Sequence, residues 1–82
     1  MTKSVDLTIV IVNYKVKEYV SNLLSSIRKA QGSLAVQVFV VDNDSGDDSI
    51  AYLKSRHPDV SYIENKENVG FGKANNQAIE LA

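Results

Sequence analysis

The stretch LTIVIV, residues 7–12, is almost continuously apolar and β-branched. A strand with one wet face alternates apolar and polar residues. An unbroken run reads instead as a strand covered on both faces, the habit of parallel sheets. Outward from it, KVKEYVSNLLSSIRKAQG (15–32) sets Val16, Tyr19, Val20, Leu23, Leu24 and Ile27 at spacings of three and four. This predicts an amphipathic helix with one apolar stripe, stopped by Gly32. VQVFVV (36–41) reads as a second buried strand. DNDSGDDSIAYLKSRHPD (42–59) reads as a turn and a short helix with Ile50 and Leu53 inward. Ser45 and Asp48 fit a capping box there, and Pro58 forbids extension. VSYI (60–63) is a third, weaker strand, and ENKENVGFGKANNQAIELA (64–82) a loop followed by a helix. In that last helix Phe71, Ala74, Ala78, Ile79 and Ala82 are expected on the core side.

The order is β-α-β-α-β-α. Such alternation predicts a layered α/β fold with a mainly parallel sheet. Right-handed crossovers put the second strand between the first and third, a strand order of 3-2-1. The chain has 82 residues, a size at which a single core supplies little net stability, roughly 3–5 kcal/mol. It contains no cysteine, which excludes disulfides, thiolate catalysis and cysteine zinc sites. Its net charge of −1, with acids and bases interspersed, offers no basic field for nucleic acid or anionic membrane. No apolar run approaches the length of a membrane span, and residues 1–6 lack the apolar centre of a signal peptide, so a cytoplasmic location is expected. The single histidine, His57, is expected to be a solvated loop residue.

In open parallel sheets ligands collect beyond the carboxyl ends of the strands. Three polar stretches fall there. After the first strand, Asn13 and Tyr14 stand where a phosphate loop would need glycine; neither G-x-G-x-x-G nor G-x-x-x-x-G-K-(S/T) is present. Tyr14 either stacks on a planar base or packs against the first helix. After the second strand, the Asp42 carboxylate can accept hydrogen bonds from a base N–H or ribose hydroxyls, and Asn43 can both donate and accept. The run Asp42, Asp44, Asp47, Asp48 fails as a calcium loop, because a glycine stands fifth and no glutamate closes it at the twelfth position. After the third strand, Gly70 and Gly72 with Lys73 open a helix, where backbone N–H groups favour an anion. Asn75 and Asn76 have low helix propensity, which suggests a tertiary task for their amides.

Taken together, TIVIVNYKVKEYVSNLLSSI, VQVFVVDNDSGDDS and NVGFGKANNQAI resemble the amino-terminal part of family 2 glycosyltransferases, the bacterial rhamnosyltransferase-like branch above all. The likeness runs from about Leu7 to Leu81. It implies a three-layer βαβαβα half of a Rossmann-like glycosyltransferase-A fold, with residues 1–82 a single incomplete domain that holds the donor nucleotide. By position, the resemblance puts Tyr14 on the donor base and Asp42 on the imide of uracil or thymine or on the neighbouring ribose. It puts Val12 and Asn13 on the same rim, Gly70 at the nucleoside, Asn75 behind it and Lys73 toward the diphosphate. Val41-Asp42-Asn43-Asp44-Ser45, with Asn43 in the variable position, fits the family pattern Val-Asp-(Asp/Asn)-x-Ser.

The resemblance further implies a UDP- or dTDP-sugar donor and a glycan or lipid-linked acceptor in cell-envelope polysaccharide synthesis. Mg2+ or Mn2+ is expected in the full-length enzyme, for which the resemblance implies a place in the cytoplasm or at the inner face of the membrane. Inverting transfer needs a cation on the leaving diphosphate and a base beside the acceptor. The family carries both beyond the segments matched here, so no catalytic and no metal-binding residue is assigned, and no turnover is expected from these residues alone. The alternatives are a non-catalytic nucleotide-binding module and a fragment that folds by dimerising. The first strand, lacking the neighbour it has in the family fold, is an apolar edge expected to pair with a second copy. A sugar nucleotidyltransferase would want a glycine- and arginine-rich loop in place of NYKVKEY. A response regulator would want aspartate where Glu64 and Asn65 stand.

Overall fold

The computed structural model describes residues 5–82. Strand β1 (Leu7–Asn13) is followed by helix α1 (Lys17–Ala30), β2 (Val36–Asn43), α2 (Ser49–Arg56), β3 (Ser61–Asn65) and α3 (Phe71–Leu81). The three strands form one parallel sheet with β2 at its centre. Leu7 pairs with Val36 and Asn13 with Asp42 at the two ends of the first ladder. Phe39 pairs with Ser61 and Asn43 with Asn65 at the ends of the second.

Side chains alternate across a strand, and here both faces are apolar because both are covered. Ile11, Val38 and Val40 point to one face, where they pack with Val20 and Leu24 of α1 and Leu53 of α2. Phe39 and Val41 point to the other, against Ala74 and Ala78 of α3, with Val10, Val12 and Ile63 at the margin. The result is three layers: α1 and α2, the sheet, and α3. Val38, Val40, Val41 and Leu53 have almost no exposed surface, and burying each is worth about 1.5–3 kcal/mol.

The α1 stripe is narrower than the spacing suggests. Val20 and Leu24 are buried with Leu23 and Ile27 behind them, while Val16 and Tyr19 are exposed. Tyr19 instead lines a cleft with Lys15, Lys17 and Asp47. The helix ends at Ala30, and Gly32 takes the left-handed conformation (φ 56°) that follows a helix end. On α2, Ile50 and Leu53 are inward as expected, but no capping box forms. Asp48 is the N-cap but its side chain makes no capping bond, and it is Asp47 that accepts from the backbone N–H and hydroxyl of Ser49. Ser45 cannot cap, because its hydroxyl is engaged with the ends of β1 and β2.

On α3 only Ala74 and Ala78 are fully buried. Phe71, at the open first turn, is 72% exposed, and Ile79 is also exposed. At 100° per residue, Ile79 lies roughly 120° round the helix from the Ala74–Ala78 line, so the apolar side read from spacing is rotated away from the sheet. Two alanines in line let the helix axis approach Phe39 and Val41 closely. Strand β3 runs on through Glu64 and Asn65, beyond the apolar VSYI, because these residues pair with the polar end of β2.

His57 is not a solvated loop residue. Its Nε2 lies 2.9 Å from the Ser21 hydroxyl, which ties the end of α2 to α1. Its carbonyl accepts the Tyr62 hydroxyl at 2.8 Å. Arg28 of α1 adds an ion pair to Asp59 at 2.8 Å.

Candidate functional site

The carboxyl ends of all three strands meet at one rim, and strand alternation sorts their polar residues onto two faces. Asn13 and Asp42 continue the rows that face α1 and α2. Asn43 and Asn65 continue the rows that face α3.

On the first face the Asn13 amide donates to Asp42 Oδ1 at 2.8 Å and to the Ser45 hydroxyl at 3.2 Å. The Ser45 hydroxyl donates to the same Oδ1 and accepts the backbone N–H of Lys15 at 2.9 Å. Ser45 therefore joins the two loops, a role its place in the sequence did not reveal. Asp42 is 4% exposed and Asn13 0%. Burial of this kind requires pairing, and nearly every atom has it. The exceptions are Asn13 Oδ1, which has no partner among the described residues, and Asp42 Oδ2, which holds only the Ser45 N–H at 3.4 Å. Both are acceptors with unfilled capacity, and Asn13 Oδ1 is enclosed.

The backbone around this cluster is tightly turned. Lys15 (φ 58°) and Asp44 (φ 61°) occupy the left-handed region that costs a non-glycine residue about 1 kcal/mol or more. Such conformations concentrate at functional sites. Lys15 in this conformation leaves the preceding Tyr14 46% exposed, with the Lys15 ammonium 5.2 Å from its ring centroid. Tyr14 therefore presents an aromatic face at the strand end rather than burying it under α1. Beside it, a cleft of about 270 Å³ is lined by Lys15, Val16, Lys17, Glu18, Tyr19 and Asp47. Lys17 is paired with Asp48, whose hydrogen bond raises the pKa of the ammonium.

On the second face Asn43 holds the loop that enters α3. Its Oδ1 accepts the Val69 N–H at 3.2 Å and its Nδ2 donates to the Gly70 carbonyl at 3.2 Å. Gly70 (φ 85°, ψ 164°) is the N-cap of α3, in a conformation essentially confined to glycine. Asn65 donates to Asn43 Oδ1 at 3.1 Å, and Asn65 and Gln77 exchange two amide hydrogen bonds. Asn65 and Gln77 are absent from the residues singled out by sequence. The available signal was Asn65 as the last polar residue before the loop.

The remaining expected residues are less engaged. The Val12 side chain packs toward α3, so only its backbone borders the rim. Lys73 is exposed and forms no ion pair among the described residues. The Asn75 amide donates to the Phe71 carbonyl of its own helix at 3.0 Å, so it is Gln77, not Asn75, that reaches across to the sheet. Tyr14, Asn13, Asp42, Asn43 and Gly70 are thus gathered at one edge of the molecule. Lys73 and Asn75 follow on the first turns of α3. Among the described residues, no group of three or more His, Asp or Glu side chains stands close enough to hold a metal ion. No described helix is long and apolar enough to cross a membrane.

The model of the family described as glycosyl transferase family 2 matches residues 8–82. The chain belongs to that family. It is 38% identical over 77 residues to the low-salt glycan biosynthesis hexosyltransferase Agl10 of Haloferax volcanii, covering 94% of this chain and 23% of that protein. Its fold superimposes on the mannosyltransferase PcManGT from Pyrobaculum calidifontis, solved in complex with GDP-Man and Mn2+, with a TM-score of 0.82 and 25% identity. That match covers 99% of this chain and 25% of the neighbour. The chain therefore spans about a quarter of the length of these two relatives. Its α/β fold is that of the glycosyltransferase-A type.

Proposed function

We propose that this family 2 glycosyltransferase segment binds the nucleoside of a nucleoside-diphosphate sugar at the rim formed by β1, β2 and the Gly70 loop. Within a longer enzyme it serves sugar transfer to a glycan or lipid-linked acceptor in cell-envelope polysaccharide synthesis. The observation that carries this is the strand-end register: buried Asn13 pairs with Asp42, and the exposed Tyr14 follows Asn13 directly in the chain. Tyr14 offers a stacking face. Asp42 Oδ2 is the acceptor for a base imide N–H or for ribose hydroxyls. Val12 borders the base through its backbone, and Asn43 sets the Gly70 loop against the nucleoside. Lys73 and Asn75, on the first turns of α3, face the diphosphate side. A divalent cation would neutralise the leaving diphosphate in the complete enzyme.

Uracil and thymine carry an N–H between two carbonyls, and guanine an N–H beside one. The mannosyltransferase neighbour was solved with GDP-Man, a guanine nucleotide. Adenine and cytosine offer only exocyclic amino donors at a different place on the base, so a carboxylate set for the ring N–H favours the first three. Calorimetric titration with UDP, dTDP, GDP, ADP and CDP tests this. Preference for the first three is expected if Asp42 takes the base N–H, and equal saturable binding by all five if it takes the ribose; binding by none contradicts the site. The 82-residue chain alone is expected to transfer no sugar, and detecting transfer from UDP-, dTDP- or GDP-sugars would overturn that. The proposed setting is the cytoplasm, at the inner face of the membrane where the acceptor is lipid-linked.

One further observation favours self-association. Among the described residues β1 pairs with β2 on one side only, and Leu7 is exposed at its start. Unpaired apolar edges template pairing with another chain. For the 82 residues taken by themselves, the proposed partner is a second copy, joined edge to edge along β1.

A further inference from the structure

We propose that Gln77 is a positioning residue for the nucleoside rim, acting through Asn65 and Asn43 on the Val69–Gly70 backbone; this rests on the donor-nucleotide reading above. The inference starts from polarity. Asn43 meets two backbone groups of opposite sign, the Val69 N–H and the Gly70 C=O, so its amide has one workable orientation. With Oδ1 turned to Val69, Asn43 can receive only a donor from its register partner, and Asn65 Nδ2 supplies it. That fixes Asn65 in turn: its second amide hydrogen goes to Gln77 Oε1 at 2.9 Å, and its Oδ1 accepts Gln77 Nε2 at 3.0 Å. Gln77 is the last member of the relay and the only one on α3.

The terminal amide torsion of asparagine is broad, so without an outer partner Asn65 is free to turn over. Turned over, it sets its oxygen against the oxygen of Asn43. That repulsion works against the one Asn43 orientation that serves the Val69 N–H and the Gly70 carbonyl, at the point where the chain makes its glycine-only turn into α3. Only a side chain that donates and accepts side by side satisfies Asn65. Glutamate at 77 keeps the shape but opposes Asn65 Oδ1 with a carboxylate oxygen. Methionine keeps the approximate volume and removes both bonds. A residue that merely packed α3 on the sheet would tolerate either change.

The test uses Gln77→Glu and Gln77→Met in the 82-residue chain. Three quantities are read: amide hydrogen exchange at Val69, affinity for GDP, UDP and dTDP, and the urea midpoint as a control for folding. Loss of one such pairing corresponds to roughly tenfold in an equilibrium. The expected result is Val69 exchange faster by about that factor in both variants, Val40 exchange unchanged, and nucleotide affinity lower by about the same factor. Unchanged protection at Val69 overturns the relay. A loosened Val69 with undiminished affinity overturns the positioning role. If the unsubstituted chain binds none of the three nucleotides, the donor-nucleotide reading and the positioning role fall together, and Val69 exchange alone then decides whether the relay sets the loop.

Discussion

Asn13 and Asp42 stand opposite each other as the last paired residues of β1 and β2, and the Asn13 amide donates to the Asp42 carboxylate at 2.8 Å. This buried pair makes the rim rigid. It ties two loops that are 29 residues apart in the chain and leaves Tyr14 exposed immediately beyond it.

Asp42→Asn keeps an acceptor at Oδ1 but replaces Oδ2 with an NH2 group facing the Ser45 N–H. Two donors then oppose each other in a buried place, a loss of about 1–3 kcal/mol. Urea denaturation should show a lower midpoint for Asp42→Asn than for the unsubstituted chain. An unchanged midpoint would mean that the Asp42 Oδ2 contact with the Ser45 N–H contributes nothing to stability.

The two faces of the rim were unequally legible in the sequence. The alternation of apolar strands and helices, the parallel sheet with β2 central, and the gathering of polar residues at the strand ends all follow from local pattern. Apolar runs and turn residues are governed by neighbours along the chain. Ser45, Asn65, Gln77 and His57 were not legible as partners, because each is defined by a contact that depends on strand register or on helix rotation. Spacing predicted an apolar side for α3, yet it could not choose between the Ala74–Ala78 line and the neighbouring line through Ile79. Only packing on Phe39 and Val41 makes that choice. For the same reason Gln77, at the flank, gained a role expected of Asn75.

Burial pushes the Tyr62 hydroxyl up to about 12 from its ordinary 10.0, with the charge of Asp59 adding to the effect. A raised pKa for an acid means that the neutral form is favoured in the folded state. Its contribution is present below pH 10, where Tyr62 is neutral in both states. It is lost as pH rises from about 10 to about 12, because the unfolded chain ionises first. Tyr62→Phe also removes the bond to the His57 carbonyl, so it should be less stable at neutral pH by about 0.5–1.5 kcal/mol. Thermal melting across alkaline pH should show a shallower decline for Tyr62→Phe than for the unsubstituted chain. Parallel declines would contradict the assignment.

Pairing of β1 edges should appear in sedimentation velocity as a dimer at micromolar concentration. Leu7→Lys places a charge at the exposed start of that strand, which blocks edge pairing while leaving the core untouched. It should shift the chain toward monomer. A monomeric mass for the unsubstituted chain at these concentrations would remove the self-association proposal.

Nitrogen-15 NMR titration with GDP, UDP and dTDP tests the nucleoside rim most directly, with Tyr14→Ala as the matched variant. Saturable shifts are expected at Tyr14, Asp42 and Gly70 together. Loss of the stacking face should weaken binding in Tyr14→Ala by roughly tenfold or more. Shifts confined to other parts of the molecule, or no shift with any of the three nucleotides, would contradict a nucleoside site at this rim.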